Sequence, residues 1–382
     1  MKDRVQQNIG VNEQLENLSD INWQLVEKRV RNLRQRIYRA TKNAQWNKVR
    51  SLMKLMLKSY ANLLLSVRKV TQENKGKRTP GIDNQVIIAP LARVKLIREM
   101  LEFTAWKVKP AKRIYIPKAN GKNRPLGILT IKNRIAQAIV KNALEPSWEA
   151  RFESHSYGFR PGRSAQDAIE QCWRRLNRHC KDRWVLDADI KGAFDNINQE
   201  YMLQKLGNVP AKGLIKAWLK AGYVEEKVFY DTKTGVQQGG VISPLLANIA
   251  LDGMQKLLGS KVGFIRYADD FVVTACSKEH LEILKPIIAQ WLSERGLVMN
   301  EDKTKIVSIN TGFDFLGFNI RHYHNVCLVQ PSKNKVLTFL QNIRLWLKSH
   351  RQVEAEVVVR YLNTTSAWMG SILHMCMQQK DI

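Results

Sequence analysis

The tetrapeptide Tyr267-Ala268-Asp269-Asp270 stands between the apolar runs 262–265 and 271–273, and few local folds accommodate that pattern. Apolar, β-favouring residues on both sides of a short polar break predict two strands joined as a hairpin, with both carboxylates at its tip. Adjacent carboxylates repel each other. They are tolerated on a solvated turn, but beside a third acid they are stable mainly when a divalent cation neutralises them. Read alone, the four residues also fit an ordinary solvated Asp-Asp turn, so their meaning depends on what the chain places near them.

A third carboxylate is available in Trp184-Val185-Leu186-Asp187-Ala188-Asp189-Ile190, which is followed by Lys191-Gly192-Ala193-Phe194-Asp195. The first run predicts a strand that carries Asp189 to its C-terminal edge. Alternation puts Asp187 and Asp189 on one face and Ala188 and Ile190 on the other, and Lys191-Gly192 ends the strand in a turn. The competing reading has these acids cap a following helix. Upstream, the stretch from Arg113 to Ile128 predicts a hairpin turning at Asn120-Gly121, with Lys118, Lys122 and Arg124 on or near its arms.

The segments keep a fixed order along the chain. After the cationic hairpin come Ser156-Tyr157-Gly158-Phe159-Arg160-Pro161-Gly162-Arg163-Ser164, the strand ending at Asp189, Gln237-Gln238-Gly239-Gly240-Val241-Ile242-Ser243-Pro244, the Asp-Asp hairpin, the stretch from Gly296 to Ile306, and Phe313-Asp314-Phe315-Leu316-Gly317-Phe318. In this order the chain resembles the group II intron-encoded reverse transcriptases of the maturase type over nearly its whole length.

The resemblance implies an α+β right-hand polymerase. Its fingers and palm would be an antiparallel sheet with helices, flanked by a helical N-terminal extension and a partial helical thumb. It implies RNA-directed DNA synthesis by a two-metal mechanism, with Asp189, Asp269 and Asp270 catalytic and Asp189, Ile190, Asp269 and Asp270 at two Mg²⁺ ions that Mn²⁺ could replace. Lys118, Arg124, Phe194, Gln238, Gly239 and Lys303 would bind the nucleotide, Phe194 by flooring its sugar pocket. Arg29, Arg36, Arg160, Arg163, Tyr267, Leu316 and Gly317 would contact nucleic acid. Gln237 stands where the family usually has proline, which is expected to loosen that loop. The implied partners are an RNA template, group II intron RNA first, a DNA or RNA primer, and dNTPs. A non-catalytic RNA-binding splicing factor, and a reverse transcriptase of the retron, CRISPR-associated or phage-defence type, are the alternatives.

Charge supports a nucleic-acid partner independently: 62 Lys plus Arg against 34 acids give +28 over 382 residues, most simply balanced by phosphates. No apolar stretch reads as long enough to span a bilayer, and no signal peptide is evident at the N-terminus, so a cytoplasmic or organellar protein without a membrane partner is expected. Five scattered cysteines predict no disulfide frame. Residues 1–75 read as the helical, RNA-contacting extension. Within it Trp23, Val26, Val30, Leu33 and Ile37 begin one amphipathic helix, and Trp46 through Val67 continue as a second. Arg29, Arg31, Arg34, Arg36 and Arg39 spread over the polar side of the first. Residues 76–312 read as fingers and palm, with a buried helix starting at Asn133-Arg134 and packing on the sheet. Residues 313–382 read as a primer-gripping hairpin and a short thumb, with Val336, Phe339, Leu340, Ile343 and Leu347 on one helix side. No endonuclease module is apparent.

Overall fold

The computed structural model describes residues 18–101, 108–117, 121, 123–177, 179–324 and 326–377. Two compact units interleave along the chain: one gathers the residues up to Phe152 with Gly192–Asp252 and Glu294–Leu297, the other Glu153–Lys191, Gly253–Ser293 and the residues from Val298 onward.

In the first unit a short 3-10 helix, Leu18–Asp20, precedes the helix Trp23–Lys42, started by Asn22, whose side chain accepts from Leu25 N. Its stripe Val26, Val30, Leu33 and Ile37 is buried, as the three-and-four spacing requires. The continuation is two helices rather than one, Trp46–Leu57 and Tyr60–Arg68. The break is Ser59, which adopts extended backbone and accepts from Asn62 N, so a new N-terminus begins where the apolar spacing alone runs on. These three helices pack on Ile131–Glu149. That helix starts two residues before Asn133, because Thr130 caps it by accepting from Asn133 N, and its main partners are the N-terminal helices rather than the sheet. A four-stranded sheet completes the unit in the order Asn123–Ile128, Ala111–Pro117, Tyr223–Glu225, Val228–Tyr230. The first two form the expected antiparallel hairpin, paired from Lys112↔Ile128 to Pro117↔Asn123.

The second unit is built on an antiparallel sheet ordered Gly263–Tyr267, Asp270–Ala275, Trp184–Asp189, Lys305–Ser308. The pairs Asp187↔Val272, Asp189↔Asp270 and Ile265↔Val272 place Val185, Ile265 and Val272 on the same face as the acids. That face packs with Ala168, Ile169 and Cys172 of the helix Ala165–Leu176, and with Phe313, Phe315, Ile320 and Val329 of a second, three-stranded sheet. The acids therefore end an apolar layer. Phe313–Phe315 and Phe318–Tyr323 form the expected hairpin around Leu316-Gly317. Two helices follow, Lys333–Ser349 and Ala355–Met377. None of the first helix's residues is buried, and Leu340 and Leu347 of its expected apolar side are 42% and 39% exposed. Trp346 stacks on Tyr361 at 3.9 Å between ring centroids, joining the two helices.

Candidate active site

All three acids lie in the second unit. Tyr267↔Asp270 is the last pair of the hairpin, and Ala268-Asp269 is its loop, with Ala268 at φ +59°. Asp189 sits directly across from Asp270. Ile190 N donates to Asp269 O at 3.2 Å, holding the loop against the strand end. The helix after the strand, Ala193–Asn196, has Gly192 as its N-cap with no side-chain cap, so the acids are not spent on capping.

Arg266 and Asn300, which the sequence did not single out, help to build this edge together with Gly158 and Lys303. Arg266 is fully buried, and its Nη1 donates to Ala268 O at 3.0 Å, bracing the loop from within. The segment through Ser156 runs parallel beside Arg266, with Tyr157 N donating to Arg266 O at 2.8 Å. Gly158 then lies so close that a Cβ would stand 2.4 Å from Ala268 N. Asn300 donates twice to Asp189, from N to O at 2.8 Å and from Nδ2 to Oδ2 at 3.1 Å. Lys303 Nζ reaches the same Oδ2 at 2.8 Å, from a side chain that is 64% exposed.

The edge is short of positive charge. Burial pushes the Asp270 carboxyl up to about 7, and the charges of Asp269 and Asp189 and a hydrogen bond with Asp189 add to the rise while Lys303 opposes it. Burial likewise raises Asp187 to about 6, followed by Asp314 and Asp189. The Lys303 ammonium is raised chiefly by its hydrogen bond to Asp189. Among the described residues no three acids, histidines or cysteines close round one point as a ready metal cage, and Asp189 Oδ2 is engaged by Lys303 and Asn300. Asp189 and Asp270 nevertheless stand opposite each other with Asp269 in the adjoining loop, and hard carboxylate oxygens of this kind are the donors a divalent ion such as Mg²⁺ prefers.

A pH dependence follows. An acid raised by folding favours the folded state below its ordinary pKa of 3.8, and that contribution is lost as pH rises through about 7. In chelator, the thermal midpoint of Asp270→Asn should fall less over that window than that of the wild type. Parallel curves would show that Asp270 is not the strained group.

The first unit holds a cleft of about 290 Å³, whose walls include Phe194, Asp195, Gln237, Gln238, Arg113 and Tyr223. Phe194 and Gln238, distant in sequence, are thus brought together, and Phe194 is half-buried in a cleft wall rather than in the core. Gly239 is at φ +101°, and a Cβ there would meet Gly127 O at 2.6 Å, so glycine is needed at this position. Gly127 N donates to Gln238 O at 2.7 Å. The loop carries hydrogen bonds at Gln237, where Gly240 N and Ser243 Oγ both donate to its O, at 3.2 and 2.7 Å.

Arg113 lines the cleft, with its guanidinium 3.5 Å from the Tyr223 ring centroid. Arg124 does not line it. It pairs with Ile116, and alternation turns it to the opposite face of the sheet from Arg113 and Pro125. Lys118, with Lys122 and Asn120, lies outside the described residues.

The expected nucleic-acid residues divide by what already holds them. Arg160 is 6% exposed, and its Nη1 donates to Glu153 O and Ser156 O, so it braces its own loop. Arg163 Nη1 donates to Ser154 O and to Ser156 O of the same loop. Arg34 is ion-paired with buried Glu145 at 2.6 Å, which narrows the basic face of the first helix. Arg36 is exposed there and Arg29 half-buried. Leu316 and Gly317 make the hairpin turn at φ +51° and +88°, and Tyr267 packs against the apolar layer. No described helix is long and apolar enough to cross a membrane.

The chain is similar to several known proteins. Residues 116–320 match the family described as reverse transcriptase (RNA-dependent DNA polymerase), and residues 19–100 match the N-terminal domain of reverse transcriptase. Protein YkfC of Escherichia coli (strain K12) is 32% identical over 303 residues, covering 67% of this chain and 80% of YkfC. Group II intron-encoded protein LtrA of Lactococcus lactis subsp. cremoris is 36% identical over 217 residues, 55% of this chain but 36% of LtrA. Telomerase from Candida albicans, solved with a TWJ fragment of telomeric RNA, is 15% identical with a TM-score of 0.46, over 70% of this chain and 57% of that one.

Proposed function

This chain belongs to the reverse transcriptase (RNA-dependent DNA polymerase) family, and from that premise we propose that it extends a primer 3′-hydroxyl with deoxynucleotides on an RNA template, using Asp189, Asp269 and Asp270 to hold two divalent cations, Mg²⁺ first. The observation that carries the proposal is the direct opposition of Asp189 and Asp270 with Asp269 in the adjoining loop. When bound, the ions would lower the cost of the attacking oxygen's charge and steady the triphosphate.

The chain's own residues supply the frame. Asn300 and Ile190 fix the strand end and the loop through backbone hydrogen bonds, so the carboxylates are presented from rigid elements. Lys303 leans on Asp189 from solvent. A cation taken up by Asp189 would leave that ammonium available to the anionic leaving group. Phe194 and Gln238 would receive the incoming nucleotide in the cleft of the first unit, Phe194 as a steric floor under the sugar. Arg113 joins them as a candidate phosphate or base contact because it lines the same cleft. Association with intron RNA is supported by the likeness to LtrA and by the excess of basic residues.

The sugar floor has its own test. Phe194→Ala should raise ribonucleotide over deoxynucleotide incorporation by about 10- to 100-fold, because a cleft that excludes a hydroxyl by bulk alone loses that exclusion with the ring. An unchanged ratio in single-nucleotide insertion assays would reduce Phe194 to packing.

A further inference from the structure

We infer that Asp195 is a positioning residue that sets the polarity of the Gln238 side-chain amide and, through it, the cleft's choice among nucleotide sugars. The inference rests on the nucleotide reading of the cleft given above.

The frame is a short zipper between two loop segments. Val236 N donates to Phe194 O at 2.6 Å and Gly235 N to Ile197 O at 2.8 Å. Thr234 Oγ1 donates to Asp195 O at 3.2 Å across 39 positions of sequence. The segments touch closely enough that a Cβ on Gly235 would stand 2.4 Å from Asp195 O. On this frame Asp195 Oδ2 accepts from Gln238 Nε2 at 2.9 Å.

The chemistry of the pair fixes its direction. An ionised carboxylate can only accept, so it selects the NH₂ end of the glutamine amide and leaves Oε1 as the end available to a donor. The glutamine main chain is held as well, by Gly127 N at 2.7 Å, so the amide cannot turn end for end without losing Asp195. Both residues line the cleft with Phe194. A sugar hydroxyl is a hydrogen-bond donor. Phe194 then sorts sugars by bulk and Gln238 by an acceptor whose orientation Asp195 maintains.

Asp195→Asn is the informative change, because it keeps shape but can present either an acceptor or a donor to Gln238. In single-nucleotide insertion on an RNA template it should raise the KM for deoxynucleotides about tenfold, the scale of one charge-assisted hydrogen bond, and leave kcat within about twofold. Preference among deoxy-, ribo- and dideoxynucleotides should narrow with it. Asp195→Ala should do the same in the wild-type background and add nothing to Gln238→Ala, since it acts through that residue. A wild-type KM and sugar preference in Asp195→Asn would overturn the inference, as would a loss confined to kcat, or independent losses that multiply in the double variant. A wild type that inserts no nucleotide at all contradicts the polymerase reading first and takes this inference with it.

Discussion

Asp269→Ala is expected to lower primer extension by at least about 10³-fold, as removal of a metal-holding carboxylate does, while RNA affinity stays near that of the wild type. The substitution keeps the hydrogen bond that ties this loop to the strand end, which uses Asp269 O and Ile190 N. It also removes one of the charges that raise Asp270. In chelator, Asp269→Ala should therefore unfold at a temperature no lower than the wild type, and above it if the repulsion is felt. Activity and stability then move in opposite directions, as they do where a site is kept strained for function. Primer extension and thermal unfolding on the same preparations measure both. A variant that is inactive because it unfolds early would remove the argument.

Gly158→Ala should be strongly damaging to the second unit. The added Cβ would stand 2.4 Å from Ala268 N and 3.0 Å from Tyr267 C, both main-chain atoms of the loop that carries Asp269. Backbone cannot swing aside as a flexible side chain can, so the loop or the Gly158 segment must shift. The expected cost is about 1–3 kcal/mol of stability for overpacking, with extension about 100-fold slower because displacement of about 1 Å at a reacting centre has that effect. Gly213→Ala is the control, since a Cβ there meets nothing within 4 Å. It should be neutral or slightly stabilising on the helix Lys212–Leu219. Equal rates for Gly158→Ala and the wild type would show that the contact does not position the acids.

What could be read from sequence was what period and order encode. The Asp-Asp hairpin, the Asp189 strand and the cationic hairpin were legible because two-residue alternation and turn residues specify a strand locally, and the order of the segments supplied the rest. Contacts made by backbone were not legible. Gly158 stood in a recognisable segment, but its closeness to Ala268 depends on a parallel bridge 110 positions away in sequence, Ser156↔Arg266. Ser59 and Thr130 were missed as helix starts because apolar spacing outweighed the cap. The surroundings of cationic residues were the least legible. Arg160, expected to contact nucleic acid, donates within its own loop, Arg34 on the basic helix face is ion-paired with Glu145, and Arg113 lines the cleft while Arg124 lies on the other face of the same hairpin. Counting alternation outward from the hairpin's pairing would have separated the last two.

The central claim, that the carboxylate edge of this chain supports RNA-templated DNA synthesis, is tested most directly by single-turnover extension of a DNA primer annealed to an RNA template, with dNTPs and Mg²⁺. The predicted result is template-length product that disappears in chelator and in Asp269→Ala. Tight RNA binding by the wild type, with no extension above the Asp269→Ala background, would contradict it and leave an RNA-binding splicing factor as the reading.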